Sequence, residues 1–146
     1  MSRNTMILLV EDNPDDEALT IRALERNHLA NEIVVVHDGE EAVQFLSGTG
    51  AYAERDTSVQ PQLILLDLKL PKLDGIEVLR SIRSDDRTKL IPVVMLTTSD
   101  EERDRIRSYT FHANSFVRKP VDFSEFTQAI QQIGMYWLVL NEPPIS

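Results

Sequence analysis

A chain of 146 residues, 42% apolar and 27% charged, has the length and composition of one globular domain with a proper core. Its net charge of -9 disfavours nucleic-acid and anionic-membrane surfaces, which attract clustered Lys and Arg. With no Cys, it excludes disulfides, thiolate metal sites and cysteine nucleophiles. No apolar run approaches the ~20 residues of a membrane span. Met1 to Thr5 is too short and polar for a signal peptide, so a cytoplasmic protein is expected.

Short apolar runs alternate with amphipathic stretches. The runs are Met6–Val10, Ile33–Val36, Leu63–Leu66, Pro92–Leu96 and a weaker one at Phe116–Val117. Such near-continuous Val/Ile/Leu runs suit parallel strands covered on both faces. Between the first two, Asn13-Pro14 offers a cap and a first-position proline, with Asp15, Asp16 and Glu17 at the favourable end of the helix dipole. Asp38 and Glu41 are spaced as a capping box, and so are Ser99 and Glu102. Ser47 to Pro61 is long for a connection in this kind of fold and reads as a surface insertion or a contact loop. Ile76, Leu79 and Ile82 form an apolar stripe on the third helix. Phe126, Ile130, Ile133 and Trp137 do so on the last, and Pro143-Pro144 ends regular structure. Five strands alternating with five helices predict an α/β doubly wound domain with right-handed crossovers. A single domain is expected over residues 1–146, its core at about 5–133, with 134–146 extending the last helix into a tail.

In strand order 2-1-3-4-5 the first and third strands are neighbours, and ligands bind beyond their carboxyl ends. The first ends in Val10-Glu11-Asp12 and the third in Leu66-Asp67, so the topology gathers Glu11, Asp12 and Asp67 at one mouth of the sheet. Two unit charges ~4 Å apart repel by about 4 kcal/mol at an effective dielectric of ~20, so such a group needs an offset. Mg2+, which prefers oxygen ligands, is one. Lys119, in "VRKPVD" after the fifth strand, is another. Thr97, ending the fourth strand, can offer a hydroxyl across the same mouth. An acid nucleophile, a hard cation, a lysine and a hydroxyl meet the needs of phosphoryl transfer, which points to a phosphoaspartate at Asp67.

The segments "LLVEDNPDD", "LILLDLKLP", "VVMLTTS" and "FVRKPVD" resemble, in order and spacing from about Thr5 to Ile133, the receiver domain of two-component response regulators. That resemblance implies the flavodoxin-like (βα)5 fold. It makes Asp67 the phosphoacceptor and Glu11, Asp12 and Asp67 the Mg2+ ligands, joined by the backbone carbonyl of Lys69. Thr97 and Lys119 would contact the phosphoryl group, with a cis bond at Lys119-Pro120, and Phe116 would be the switch aromatic. The phosphoryl donor would be a histidine kinase. "GTGAY", the "TTS" after the fourth strand and the terminal aromatic pair resemble the small stand-alone regulators that partner bacterial and cyanobacterial phytochromes. Such regulators imply a homodimer through the face of the fourth helix, fifth strand and fifth helix, which would involve Tyr136 and Trp137. Nothing after Trp137 is long enough to fold as an output domain. Two positions depart from the pattern: Lys69 stands where asparagine is commoner, and His112 where glycine is usual.

Blander readings exist for several of these residues. Glu11 and Asp12 taken alone are a solvated loop and cap, Phe116 is ordinary core packing, and Tyr136 and Trp137 cover either their own core or a partner's. The Lys69 side chain either leans toward the phosphoryl oxygens or lies in solvent. Gly48-Thr49-Gly50 does not follow a strand and lacks the Lys-Ser/Thr of a phosphate loop. His28, His37 and His112 are not at metal-ligand spacing, and Asp100–Asp104 reads as a solvated helix start. Two other function classes fit the fold. An aspartate-nucleophile small-molecule phosphatase usually carries a second acid two residues after the nucleophile, where Lys69 stands. A constitutive interaction module has no use for the quartet Asp12, Asp67, Thr97 and Lys119. A flavin carrier would need a phosphate loop after the first strand.

Overall fold

Each apolar run becomes a strand of one parallel sheet in the computed structural model, which describes residues 6–26, 32–68, 70–97, 113, 115–118, 128 and 132. In chain order the elements are β1 (Met6–Val10), α1 (Pro14–Arg26), β2 (Glu32–Val36), α2 (Gly39–Ser47), a 3-10 turn (Gly50–Tyr52), β3 (Leu63–Asp67), α3 (Gly75–Ser84), β4 (Val93–Thr97) and β5 (Ser115–Arg118). The strand order is β2-β1-β3-β4-β5, and every pairing is parallel. Pro92 falls just outside β4 because it has no N–H for the ladder, yet its carbonyl still accepts from Ile64 N at 3.0 Å.

The period-2 alternation of strand side chains sorts the core into two layers. Met6, Leu8, Val10, Ile64, Leu66, Val93 and Met95 face α2 and α3, meeting Phe45, Leu46, Ile76, Leu79 and Ile82. Ile7, Leu9, Leu63, Leu65, Val94 and Leu96 turn the other way, against Ala23 and Leu24 of α1. The interior strands β1 and β3 are buried along their whole length, whereas the edge strand β2 is only partly covered. Each fully buried Leu or Ile contributes roughly 1.5–3 kcal/mol relative to exposure, so the two layers hold the strand ends in a fixed register.

The helix starts follow the sequence signals. Asn13 Oδ1 accepts from the N–H groups of Asp15 (2.9 Å) and Asp16 (3.1 Å) at the start of α1. Asp38 caps α2 by accepting from Glu41 N at 2.7 Å. The return arm of that box differs from expectation: Glu41 Oε1 accepts from His37 N at 2.9 Å, one residue earlier, while Oε2 accepts from the Tyr52 hydroxyl at 2.6 Å.

The 47–61 connection is a packed insertion. Gly48 ends α2 in the left-handed region (φ 68), its N–H donating to Gln44 O, as a glycine C-cap allows. Tyr52 meets the Phe45 ring edge-on, at 5.2 Å and 83°. The Arg55 guanidinium lies 4.0 Å over the same ring and donates to the carbonyls of Phe45 and Val59, both at 2.6 Å. Gln60 Nε2 donates to Leu46 O and Thr57 O.

Candidate functional site

Beyond the carboxyl ends of β1 and β3 the sheet gathers acid. Glu11 N still donates to Val36 O at 3.0 Å, so the ladder continues one residue past β1 and holds this residue in place. The residue is 2% exposed, and Oε2 accepts from Asn13 N at 3.3 Å. Asp67 is the last residue of β3, in register with Leu96 of β4, and is 8% exposed. Asp12, by contrast, is exposed. One carboxylate oxygen from each of the three lies within 4.8 Å of the other two. The topological expectation is met for Glu11, Asp12 and Asp67. What the sequence did not reveal is their unequal depth, with two acids walled in and one at the rim.

A donor set of carboxylate oxygens, with no imidazole or thiolate in the group, fits a hard divalent cation such as Mg2+ or Mn2+. Burial strengthens the fit, because closely spaced buried carboxylates gain from a compensating positive charge.

The backbone after Asp67 is tightly folded. Leu68 is buried, and its carbonyl accepts from Gly75 N at 2.8 Å. A side chain at Gly75 would overlap the Asp67 carbonyl oxygen and come within 2.7 Å of Leu68 Cα. Asp74 caps α3 through Glu77 N at 3.0 Å. Between these points Pro71 O accepts from Leu73 N at 2.8 Å, and Lys72 has φ 68. This is a γ-turn with a positive central φ, a rare conformation that a non-glycine residue adopts under strain. Nothing in the local sequence signals it, since Lys72 is neither Gly, Asn nor Asp.

The junction of β2 and α2 flanks this connection. Gly39 N donates to Pro71 O at 3.4 Å, and Lys72 Nζ stands 3.6 Å from Asp38 Oδ2. His37 lies outside the acid group: its Nε2 is 2.7 Å from Glu17 Oε1. The hydrogen bond to Glu41 pushes the Tyr52 phenol up to about 12, with burial and the charges of Glu41 and Asp38 acting the same way.

Thr97 ends β4 opposite Arg118, and Phe116 lies in β5 opposite Met95. Both backbones are therefore at the places the sequence reading gave them. Lys69, Lys119 and the Lys119-Pro120 bond lie outside the described residues, as do His28, His112, Ser99, Glu102, Asp100–Asp104, Phe126, Ile130, Ile133, Tyr136 and Trp137.

Residues 7–131 match the family model of the response regulator receiver domain. The chain belongs to that family. Its members are signalling phosphoacceptors, and this receiver is similar over almost its whole length to phytochrome response regulators. It is 41% identical to response regulator Rcp1 of Synechocystis sp. over 133 residues, 91% of this chain and 88% of that protein. The Mn2+-bound structure of Rcp1 superimposes with a TM-score of 0.87 at 39% identity, covering 96% of this chain and 99% of that one. The phosphorylated cyanobacterial phytochrome response regulator RcpA gives a TM-score of 0.90 at 42% identity, over 97% of this chain and 99% of that one. The bacteriophytochrome response regulator AtBRR is 52% identical, with a TM-score of 0.76 over 97% of this chain and all of that one (100%).

Two positions escaped the sequence reading although they shape the site, Gly39 and Gly75. A signal existed in each case: a glycine at the first position of a helix, directly after an aspartate cap, where no unusual φ is called for.

Proposed function

We propose that this receiver is the phosphoacceptor switch of a two-component system, with Asp67 as the acceptor. The observation that carries the proposal is the group of three carboxylates, two of them buried, at the carboxyl edge of the parallel sheet. In the reaction an Asp67 carboxylate oxygen attacks phosphorus and forms an acyl phosphate. The P–N bond of the donor phosphohistidine breaks, and its electron pair returns to the imidazole nitrogen, which takes up a proton. Glu11, Asp12 and Asp67, with the Lys69 carbonyl, would hold Mg2+, and the ion supplies positive charge to the phosphoryl oxygens. The Thr97 hydroxyl and the Lys119 ammonium would bind those oxygens. The added charge, about -1.5 to -2, would draw both inward and let Phe116 report the change at the surface.

The likeness to Rcp1, RcpA and AtBRR supports a phytochrome-type histidine kinase as donor. We further assign the whole of residues 1–146 to one domain acting in the cytoplasm. It would dimerise through the fourth helix, fifth strand and fifth helix, with Tyr136 and Trp137 at the contact. It assists its own phosphorylation and dephosphorylation without small-molecule turnover, because Lys69 stands where a phosphatase keeps its second acid. The test is incorporation of acid-labile phosphate from a phosphorylated kinase in the presence of Mg2+. One equivalent is expected for the wild type and none for Asp67→Asn; undiminished labelling of the variant would refute the assignment.

A further inference from the structure

Gly39 is a glycine for want of space. Its φ is not in the left-handed region, so conformation alone would admit any residue. A Cβ at this position would overlap the Leu73 carbonyl oxygen and come within 2.7 Å of its carbon and 2.8 Å of Leu73 Cβ. Two of these three atoms are backbone, which no rotamer change can move aside. Closest to the site, the β3–α3 connection is tied to the same point, because Pro71 O accepts from both Leu73 N and Gly39 N. At its far end Gly75 N bonds Leu68 O, and a Cβ at Gly75 would overlap the Asp67 carbonyl oxygen. The described part of the connection, Leu70 to Gly75, is thus held at two points, at Gly39 of α2 through Pro71 and Leu73, and at Leu68 through Gly75. The strained turn at Lys72 lies beside the first of these points, and Leu73 stands only two residues before Gly75, so a displacement of Leu73 reaches the Gly75–Leu68 hydrogen bond by a short path.

We propose that Gly39 is a positioning residue for the acceptor carboxylate: α2 sets the place of Asp67 by seating Pro71 to Gly75 against the face of Gly39. Asp38 assists, since it caps α2 through Glu41 N and faces Lys72 Nζ in the turn itself. The inference rests on the reading of Glu11, Asp12 and Asp67 as a cation site. It goes beyond that reading by naming the element that aligns them from outside.

The test uses the full chain with Mn2+ as the probe. Three proteins are compared: wild type, Gly39→Ala and Gly48→Ala. Gly48→Ala places a side chain at φ 68 at the opposite end of α2, so it lowers stability without touching the loop. Mn2+ affinity is read by calorimetry, and amide exchange of residues 68–75 is read without metal. Gly39→Ala should weaken Mn2+ binding by about tenfold, as loss of outer support does at metal sites, and should accelerate exchange across 68–75. Gly48→Ala should lower the melting temperature and keep wild-type affinity. Unchanged affinity and exchange in Gly39→Ala would overturn the proposal, as would equal losses of affinity in both variants. Should Gly39→Ala not fold, Asp38→Ala replaces it. It should show both effects in smaller measure, and the absence of both would count against the proposal. Failure of the wild type to bind Mn2+ would refute the cation-site reading, and the exchange data would still decide the role of Gly39.

Discussion

The two edges of the sheet handle charge in opposite ways. At the amino edge three arginines are threaded into backbone. Arg55 donates to Phe45 O and Val59 O, and Arg83 to Lys89 O (3.0 Å) and Ile91 O (2.8 Å). Arg87 meets both oxygens of Asp85 and reaches Ser47 O. Burial holds the Arg55 and Arg83 guanidinium groups below the usual arginine range. At the carboxyl edge three acids are brought within 4.8 Å of one another. The amino edge consumes its charge in closing loops, whereas the described acids Glu11, Asp12 and Asp67 of the carboxyl edge are gathered into one group.

The sharpest way to break this contrast is to loosen the amino edge. Arg55→Ala removes a guanidinium stacked on Phe45 and the short hydrogen bonds to the Phe45 and Val59 carbonyls. We expect a loss of about 3 kcal/mol in urea unfolding. Mn2+ affinity should stay at the wild-type value; a parallel loss would show that the edges are coupled. Next in size is the reverse operation. Mg2+ at about 100 times its dissociation constant should raise unfolding free energy by about 2.7 kcal/mol, and by the same increment in Arg55→Ala. The smallest effect belongs to Tyr52→Phe, which keeps the edge-on ring contact but loses the hydrogen bond to Glu41, at a cost of about 1 kcal/mol. The folded phenol titrates near 12 against an ordinary 10.0, so its contribution is complete below pH 10. It is lost as pH rises toward 12. Alkaline unfolding curves should show that decline in the wild type and not in Tyr52→Phe.

Much of the carboxyl edge was legible in the residues themselves. Parallel strands end where their apolar runs end, so Glu11, Asp12, Asp67 and the backbone of Thr97 could be located once the strand order was assumed. The caps at Asn13 and Asp38 were legible too, because a cap is a local hydrogen bond. The amino edge was not. Arg55 finds its partners five to ten residues back and ahead, on Phe45 and Gln60, and those contacts exist only after α2 has packed. Glu41 turned to His37 N and Tyr52, since the insertion brings a phenol that local spacing cannot foresee. The turn at Lys72 was invisible for a related reason. Tertiary ties at Pro71 and Gly39 impose a φ that lysine would not choose alone.

The place of β1 between β2 and β3 also bears on how the molecule is made. As the chain leaves the ribosome, β1 can pair early with β2, but its other neighbour is β3, where Ile7 meets Leu63. That pairing closes a long loop and belongs among the slow, non-local steps of folding. Until it forms, Glu11 and Asp67 are far apart on a growing polymer. The acidic cluster is therefore a late product of folding, and a nascent chain captured before β3 has docked would be unable to accept a signal.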